Sequence, residues 1–233
     1  MTNTAFFLAT RYFFITFVLY VVLAAFISSC DHDSPISHST WQTFDSRDNG
    51  NGNGNSIIKH PVYRAKVPAH WIRKDPAFEE SIVDTTKANC EFVIQENGHT
   101  IRITFHTFPI ESQGMRIPAQ AQIVRWKRQF DELDPPSLHT QSEGHGGFTG
   151  LFFEGQGSVK TTLISVLGWS MQLADIYVRQ LKHDAGGSKN HLSYHRCADY
   201  TIKASGPTVL INKYRNEIID FASSLELIDE LKL

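Results

Sequence analysis

The sequence has very little net charge and few cysteines. It contains 22 Lys and Arg against 24 Asp and Glu, a formal net charge of -2. Such a balance gives no electrostatic reason to expect nucleic acid or an anionic membrane face as the partner. The three cysteines are an odd number, so at least one has no disulfide partner within the chain. A hydrophobic content of 41% over 233 residues is typical of one globular domain with a real core.

Sequence motifs of common catalytic sites are also missing. Neither a phosphate-binding loop nor a dinucleotide-binding fingerprint occurs. The run Gly144-His145-Gly146-Gly147 is similar to the HGGG turn of esterases, but the G-x-S-x-G elbow that accompanies that turn is absent. A loop leading into a strand explains the run better. We therefore predict no catalytic residues and no cofactor, and the sequence favours a protein that is not an enzyme.

The amino terminus contains a long apolar run. Residues 13–27 carry no charge and follow Arg11. The run is shorter than the roughly 20 residues that cross a bilayer as a helix, so it suits the core of a secretory signal peptide better. It ends in Ile27-Ser28-Ser29-Cys30, which resembles the bacterial lipobox. The resemblance implies that the Cys30 thiol takes up a diacylglycerol group as a thioether, that the chain is cleaved between Ser29 and Cys30, and that the new amino terminus is N-acylated. Acyl chains such as palmitate would then anchor the protein to a membrane.

These features divide the chain into three parts. Residues 1–29 are predicted to be a lipoprotein signal peptide. Residues 30–56 are predicted to be the lipidated cysteine and a flexible Asn/Gly-rich tether, because they lack a periodic apolar face. Trp41 and Phe44 could mark a short docking motif in this tether. The globular domain is predicted at 57–233, outside the cytoplasm in the cell envelope or periplasm, on either the inner or the outer membrane.

Patterns within the globular part predict an α+β fold with a mainly antiparallel sheet. Asn97-Gly98, between two alternating apolar runs, is a strong β-hairpin signal. Pro118 begins a helix on which Ile123, Trp126 and Phe130 share one face. Strands are predicted at 62–67, 92–96, 100–106, 148–153, 161–169 and 195–203, helices at 118–133, 172–182 and 211–228, and a turn at 206–207.

Three short motifs resemble bacterial cell-envelope lipoproteins with a PsbP-like domain. They are R-W-x-x-Q at 125–129, K-x-x-G-P at 203–207 and F-x-x-S at 221–224. The same fold occurs in an extrinsic photosystem subunit and in a nuclear-transport factor that binds a small GTPase. The resemblance covers roughly residues 60–228 and implies a sheet of about six strands packed between helices. It carries over no active site, and it implies a function through protein contacts.

The two remaining cysteines leave two interpretations open. Cys90 and Cys197 lie on predicted strands and would reach a compartment that permits disulfides, so they could pair. The alternative is two separate buried thiols, since cysteine often packs as a small hydrophobic residue. His183, His191 and His195 lie near Cys197, but the spacing lacks the paired ligands of structural zinc sites, and we predict no metal.

Three functional hypotheses follow from these observations. The leading one is an envelope lipoprotein that presents a non-catalytic domain to an unidentified protein partner and binds no nucleic acid. The second is an envelope hydrolase, or a thiol- or metal-dependent enzyme, that uses Cys197 and His195. The third is a carrier of a small ligand, which would require a cavity.

Overall fold

Two antiparallel β-sheets and two α-helices make up the part of the chain that the computed structural model describes. That part comprises residues 38–47, 57–74, 88–109, 116–175 and 198–228. The strands are β1 Ser39–Arg47, β2 Ile57–Pro68, β3 Ile72–Lys74, β4 Cys90–Glu96, β5 His99–Pro109, β6 Glu132–Leu133, β7 His139–His145, β8 Phe148–Val159, β9 Thr162–Leu173, β10 Ala198–Pro207 and β11 Glu226–Leu227. The helices are α1 Ala119–Lys127 and α2 Thr208–Ser223, and Pro135–Ser137 form a turn of 3-10 helix.

The main sheet has eight strands in the order β3-β4-β5-β10-β9-β8-β6, with β7 also paired to β8. Every pair in it is antiparallel. The predicted α+β class with an antiparallel sheet is therefore confirmed, but the prediction of about six strands was too low. The short strands β3 and β6 and the polar strand β7 lack the apolar alternation by which strands are recognised in a sequence.

The predicted hairpin is present and joins β4 to β5. Asn97 and Gly98 both have positive φ, at 50° and 77°. This backbone matches a two-residue turn whose twist follows that of the flanking strands, and Asn and Gly are the residues that adopt it most readily. The turn fixes the register, in which Phe92 pairs with Ile103 and Ile94 with Ile101. These four side chains therefore point to one face of the sheet and are buried.

One face of the main sheet packs against α2 and a smaller sheet with the order β1-β2-β11. Alternation along the strands brings aromatic side chains to this face from several elements. They form a single core, in which Phe44, Tyr63, Phe105, Trp169 and Phe221 are at most 1% exposed. Burial of such side chains is the main stabilising contribution in a domain of this size.

The opposite face packs against α1 over strands β8 and β9. Ile123, Trp126 and Phe130 are buried there, which confirms the predicted apolar face of this helix. Trp126 lies directly on the sheet because Gly168 has no side chain, and an added Cβ would be 2.4 Å from the indole ring. The two helices thus lie on opposite faces, so the main sheet is packed between helices as predicted.

The predicted tether contains a strand. Residues Ser39–Arg47 form β1, which pairs with β2 along its length, and Phe44 is buried in the main core. The compact unit accordingly begins at His38, so the predicted domain boundary at residue 57 is corrected. The sequence of β1 is largely polar because its outer face is exposed, and this hid the strand.

Three further boundaries differ from the predictions. The first two residues of the helix predicted at 172–182 belong to β9 in the structure, because that strand continues to Leu173. Residues 206–207, which were predicted to form a turn, are the end of β10 in the structure. Pro207 immediately precedes the first turn of α2. Helix α1 ends at Lys127 rather than at residue 133, and β6 follows it.

The predicted signal peptide and Cys30 lie outside the described residues, as do residues 48–56 of the predicted tether. Of the helices that the structure describes, neither is long and apolar enough to cross a bilayer.

Candidate functional site

Most of the residues to which the sequence assigned chemistry lie outside the part that the structure describes. This holds for the lipidation site Cys30, for Cys197 and for the nearby histidines, including His195. The predicted acylation, the possible Cys90–Cys197 disulfide and the alternative Cys197/His195 enzyme therefore stay predictions. Within the described residues, no three His, Cys, Asp or Glu side chains come close enough together to hold a metal ion.

Cys90 lies at the start of β4; its side chain is 2% exposed and has no disulfide partner among the described residues. Burial raises the pKa of this thiol to about 11, although the nearby Arg73 guanidinium acts in the opposite direction. The thiolate is the reactive form of cysteine, so burial disfavours reaction of a Cys90 thiol at neutral pH. The Cys90 side chain packs in the main core.

The glycine run that is similar to an esterase turn closes the hairpin between β7 and β8. Gly146 and Gly147 have φ of 56° and 84°. A Cβ on Gly146 would lie 2.4 Å from the Leu225 carbonyl oxygen, so glycine lets this turn pack on the chain after α2. The His145 Nε2 atom is 2.7 Å from the hydroxyl of Tyr200, which is fully buried. The run is thus a packed turn, as the sequence favoured.

Polar side chains occupy the part of the main sheet beside α1. Three strands there align His106 of β5 with Thr201 of β10 and Ser170 of β9 in one cross-strand row. The next row holds Thr104 and Lys203. All five are at most 7% exposed. Burying polar groups costs free energy unless they are hydrogen-bonded. This polar face therefore requires hydrogen-bond partners that the aromatic core on the other side does not.

A buried ion pair borders the polar face. Arg116 donates from Nε to one carboxylate oxygen of Asp199 at 2.8 Å and from Nη2 to the other at 2.5 Å. Nη2 also bonds the Leu173 carbonyl, and the Leu173 amide donates to Asp199. The two charged side chains are 9% and 8% exposed. The pair therefore connects the chain before α1 to the last residue of β9 and the beginning of β10.

A small cavity lies between α1 and the polar face. It is lined by Gln122, Ser170, Asp199 and Thr201, among others, and its volume is about 10 Å³. The amide Nε2 of Gln122 is buried and has no hydrogen-bond partner in the described structure. A volume of this size admits about one water molecule. The cavity could thus satisfy the amide through one water, and it is too small for an organic ligand.

The outer face of the small sheet presents an aromatic side chain that two cations contact. Trp41 of β1 is 51% exposed, and its Cα pairs with that of Lys66 on β2. The Arg64 guanidinium lies 5.0 Å from the indole centroid and the Lys66 ammonium 5.5 Å. Arg64 also pairs with Glu226 of β11 at 2.6 Å. We call these four residues the Trp41 patch.

Among the described strands, β1 is at the edge of the small sheet, and a further cation lies there. Arg73 donates from Nη1 to the Thr43 carbonyl at 3.2 Å and to the Gln42 side chain at 3.3 Å. Its guanidinium also lies 5.3 Å from the Phe44 ring centroid, so its position is fixed from two sides. The cation covers the edge of β1 that pairs with no other described strand, and a charge at such an edge opposes pairing with another chain.

The Trp41 patch is the described region best suited to contact another molecule. Trp and Arg are the residues most enriched where binding energy concentrates, and this Trp is held in place by two cations. The sequence singled out Trp41 and Phe44 together. The structure separates them, because alternate residues of one strand face opposite sides. The contributions of Arg64 and Lys66 were missed, since a pairing between β1 and β2 was not predicted.

Comparison with known proteins finds no matching family model and no matching curated protein. Among solved structures, the chain is similar to LpqN, a protein involved in cell envelope biogenesis of Mycobacterium tuberculosis, at 11% identity over 80% of this chain and 91% of that chain, with a TM-score of 0.44. It is also similar to a cyanobacterial PsbP (CyanoP) from Synechocystis sp. PCC 6803, at 14% identity over 85% and 97%, with the same TM-score. At these levels the likeness assigns neither an activity nor a partner to this chain.

Proposed function

We propose that this chain is a bacterial cell-envelope lipoprotein anchored through Cys30, and that its domain acts by binding another molecule rather than by catalysis. The anchor is supported by the sequence Ile27-Ser28-Ser29-Cys30 at the end of an uncharged run. The contact role is supported by one structural observation above all, which is the exposure of Trp41 on a rigid sheet. Among the exposed apolar side chains described, Trp41 is singled out because Trp is enriched where binding energy concentrates and because two cations contact its ring.

The rigidity of the contact surface follows from the other face of the same strands. Phe44, Tyr63, Ala65 and Val67 alternate with the exposed residues of β1 and β2 and are at most 1% exposed. The strands are therefore fixed by the core beneath them. A surface that is already ordered loses little conformational entropy on binding, which favours affinity.

The anchor is tested by labelling with an alkyne fatty acid in a bacterium that processes lipoproteins. The full chain should incorporate the label and sediment with membranes. Cys30→Ser should lose the label, whereas Cys90→Ser, the matched control, should keep it because Cys90 is buried in the core. An unlabelled wild type, or a labelled Cys30→Ser chain, would contradict the anchor.

The contact role is tested by placing a photo-crosslinking amino acid at position 41 of the full chain in living cells. Adducts are expected there. The same residue at position 163 serves as the control, because Leu163 is 54% exposed, close to the 51% of Trp41, but lies on β9 outside the patch. Equal yields at the two positions would show that exposure alone, and not the patch, determines contact.

A further inference from the structure

Very little chain separates the proposed anchor from the Trp41 patch. Ser39, the first residue of β1, follows Cys30 by nine positions. Nine residues reach at most about 30 Å when fully extended. A protein anchored at Cys30 therefore holds the start of β1 close to the lipid headgroups. Short tethers of this kind raise the effective concentration of a surface near its target.

The chemistry of the patch fits the headgroup region of a bilayer. Trp is enriched where membrane meets water, because its ring is apolar and its N–H is polar. Arg64 and Lys66 both lie close to the Trp41 ring, at 5.0 and 5.5 Å from its centroid. Cations in this position reach the phosphates when the ring enters the interface, and each contributes to binding an anionic surface.

The even charge balance of the whole chain does not oppose this contact. Screening at physiological salt limits electrostatic interactions to about 8 Å, so the charges nearest the membrane decide its attraction. Arg64 is partly offset by Glu226, at 2.6 Å. Lys66 is exposed on the same face, and its backbone is fixed by a 2.8 Å hydrogen bond from its amide to the Ser224 hydroxyl. Lys66 is therefore the cation on which the contact depends most.

We propose that the Trp41 patch docks on the anionic phospholipid surface of the membrane that holds the anchor. The inference rests on the proposed anchorage at Cys30. Docking would orient the domain, with the outer face of the small sheet toward the lipid and the main sheet with α1 away from it. A tethered domain would otherwise rotate freely.

Tryptophan fluorescence of the full chain measures this docking directly. The chain has four Trp, and Trp71, Trp126 and Trp169 are at most 5% exposed. Quenching by phospholipids brominated on their acyl chains therefore reports Trp41. The protein, made in a lipoprotein-competent host, is reconstituted in vesicles of phosphatidylcholine alone or of phosphatidylcholine and phosphatidylglycerol in equal parts. We expect strong quenching in the anionic vesicles and weak quenching in the neutral ones.

Charge reversal on the patch is compared with charge reversal elsewhere. Lys66→Glu should lower the ratio of docked to undocked protein about 5- to 30-fold, since a cation near an anionic surface contributes about 1 kcal/mol and the variant also adds repulsion. Arg128→Glu makes the same charge change on the exposed surface just after α1, on the opposite side of the main sheet, and should leave the quenching unchanged.

Each outcome decides the proposal. Loss of quenching in Lys66→Glu alone supports docking. Equal quenching in both variants, or in both kinds of vesicle, overturns the docking. It is also overturned if the photo-crosslinks formed in cells at position 41 join the chain to protein and not to lipid. The mass of the same preparation determines acylation separately. Unacylated protein would overturn the proposed anchor, while the quenching still decides whether the patch docks.

Discussion

The two faces of the small sheet are made by alternate residues of the same strands, and they differ in how deeply their aromatic side chains are buried and in what these side chains contact. Phe44 is 1% exposed and contacts the rings of Phe92, Phe105 and Phe221, whereas Trp41 is 51% exposed and contacts only cations among the pairs described above. The inner face is required by packing. The outer face is not, so its aromatic residue is better explained by an interaction outside the domain.

The largest effect that this comparison predicts is on Phe44. Phe44→Ala should lower the free energy of unfolding by about 3–5 kcal/mol, because it removes a buried ring from the centre of the core. Trp41→Ala should lower it by only about 0.5–1 kcal/mol, the value of an exposed cation–π contact. Urea unfolding of both variants measures the difference. Similar losses would show that the Trp41 side chain is structural.

The same contrast between buried and exposed partners applies to Arg116. Asp199→Ala leaves the guanidinium buried without its main carboxylate and should cost about 3 kcal/mol. Asp175 also contacts Arg116, at 3.3 Å, but is 63% exposed. Asp175→Ala should therefore cost less than about 0.5 kcal/mol. If thermal unfolding shows that both variants lose the same stability, the buried pair does not hold the end of β9 to the beginning of β10.

The fold was predictable from sequence where the signal is local. Asn97-Gly98 determines its own turn, and Ile123, Trp126 and Phe130 reveal the face of α1 through their spacing. Strand β1 was not predictable in this way, because its single fully buried residue among those described, Phe44, is fixed by pairing with β2 and by distant rings. The end of β10 was misread as a turn, since Gly206-Pro207 is also a common turn sequence.

The candidate site was less predictable than the fold. Trp41 was visible as an isolated aromatic residue in polar sequence, but Arg64 and Lys66 are more than twenty positions away, and only strand pairing brings them to its ring. The polar face was hidden for the same reason. His106, Thr201 and Ser170 come from three strands that are adjacent only because β10 inserts between β5 and β9.

The polar face contains a buried amide that has no hydrogen-bond partner among the described residues. Gln122→Met removes the unbonded Nε2 at nearly constant shape, so it should raise the free energy of unfolding by about 1 kcal/mol. Gln172 is the matched control, because its Nε2 donates to the Ile117 carbonyl at 3.0 Å. Gln172→Met should lower stability by up to about 1 kcal/mol. Urea midpoints that fall in both variants would show that the Gln122 amide is satisfied, for example by water in the cavity.

The smallest expected effect concerns His145. Burial lowers its pKa, and Glu143 offsets this in part. The unfolded chain therefore binds a proton more readily than the folded one, so the contribution of this residue to stability is complete above about pH 6.5 and is lost as the pH falls below that value. The stability difference between wild type and His145→Gln, measured by urea unfolding, should shrink with falling pH. A difference that does not change with pH would contradict the pKa direction.

The anchor at Cys30 underlies both the proposed function and the membrane docking, and the intact mass of protein extracted from membranes tests it. We expect a chain that begins at Cys30 and carries the added mass of a diacylglycerol group and an amide-linked acyl chain. A protein that keeps residues 1–29, or that begins at another residue without acyl mass, would contradict it.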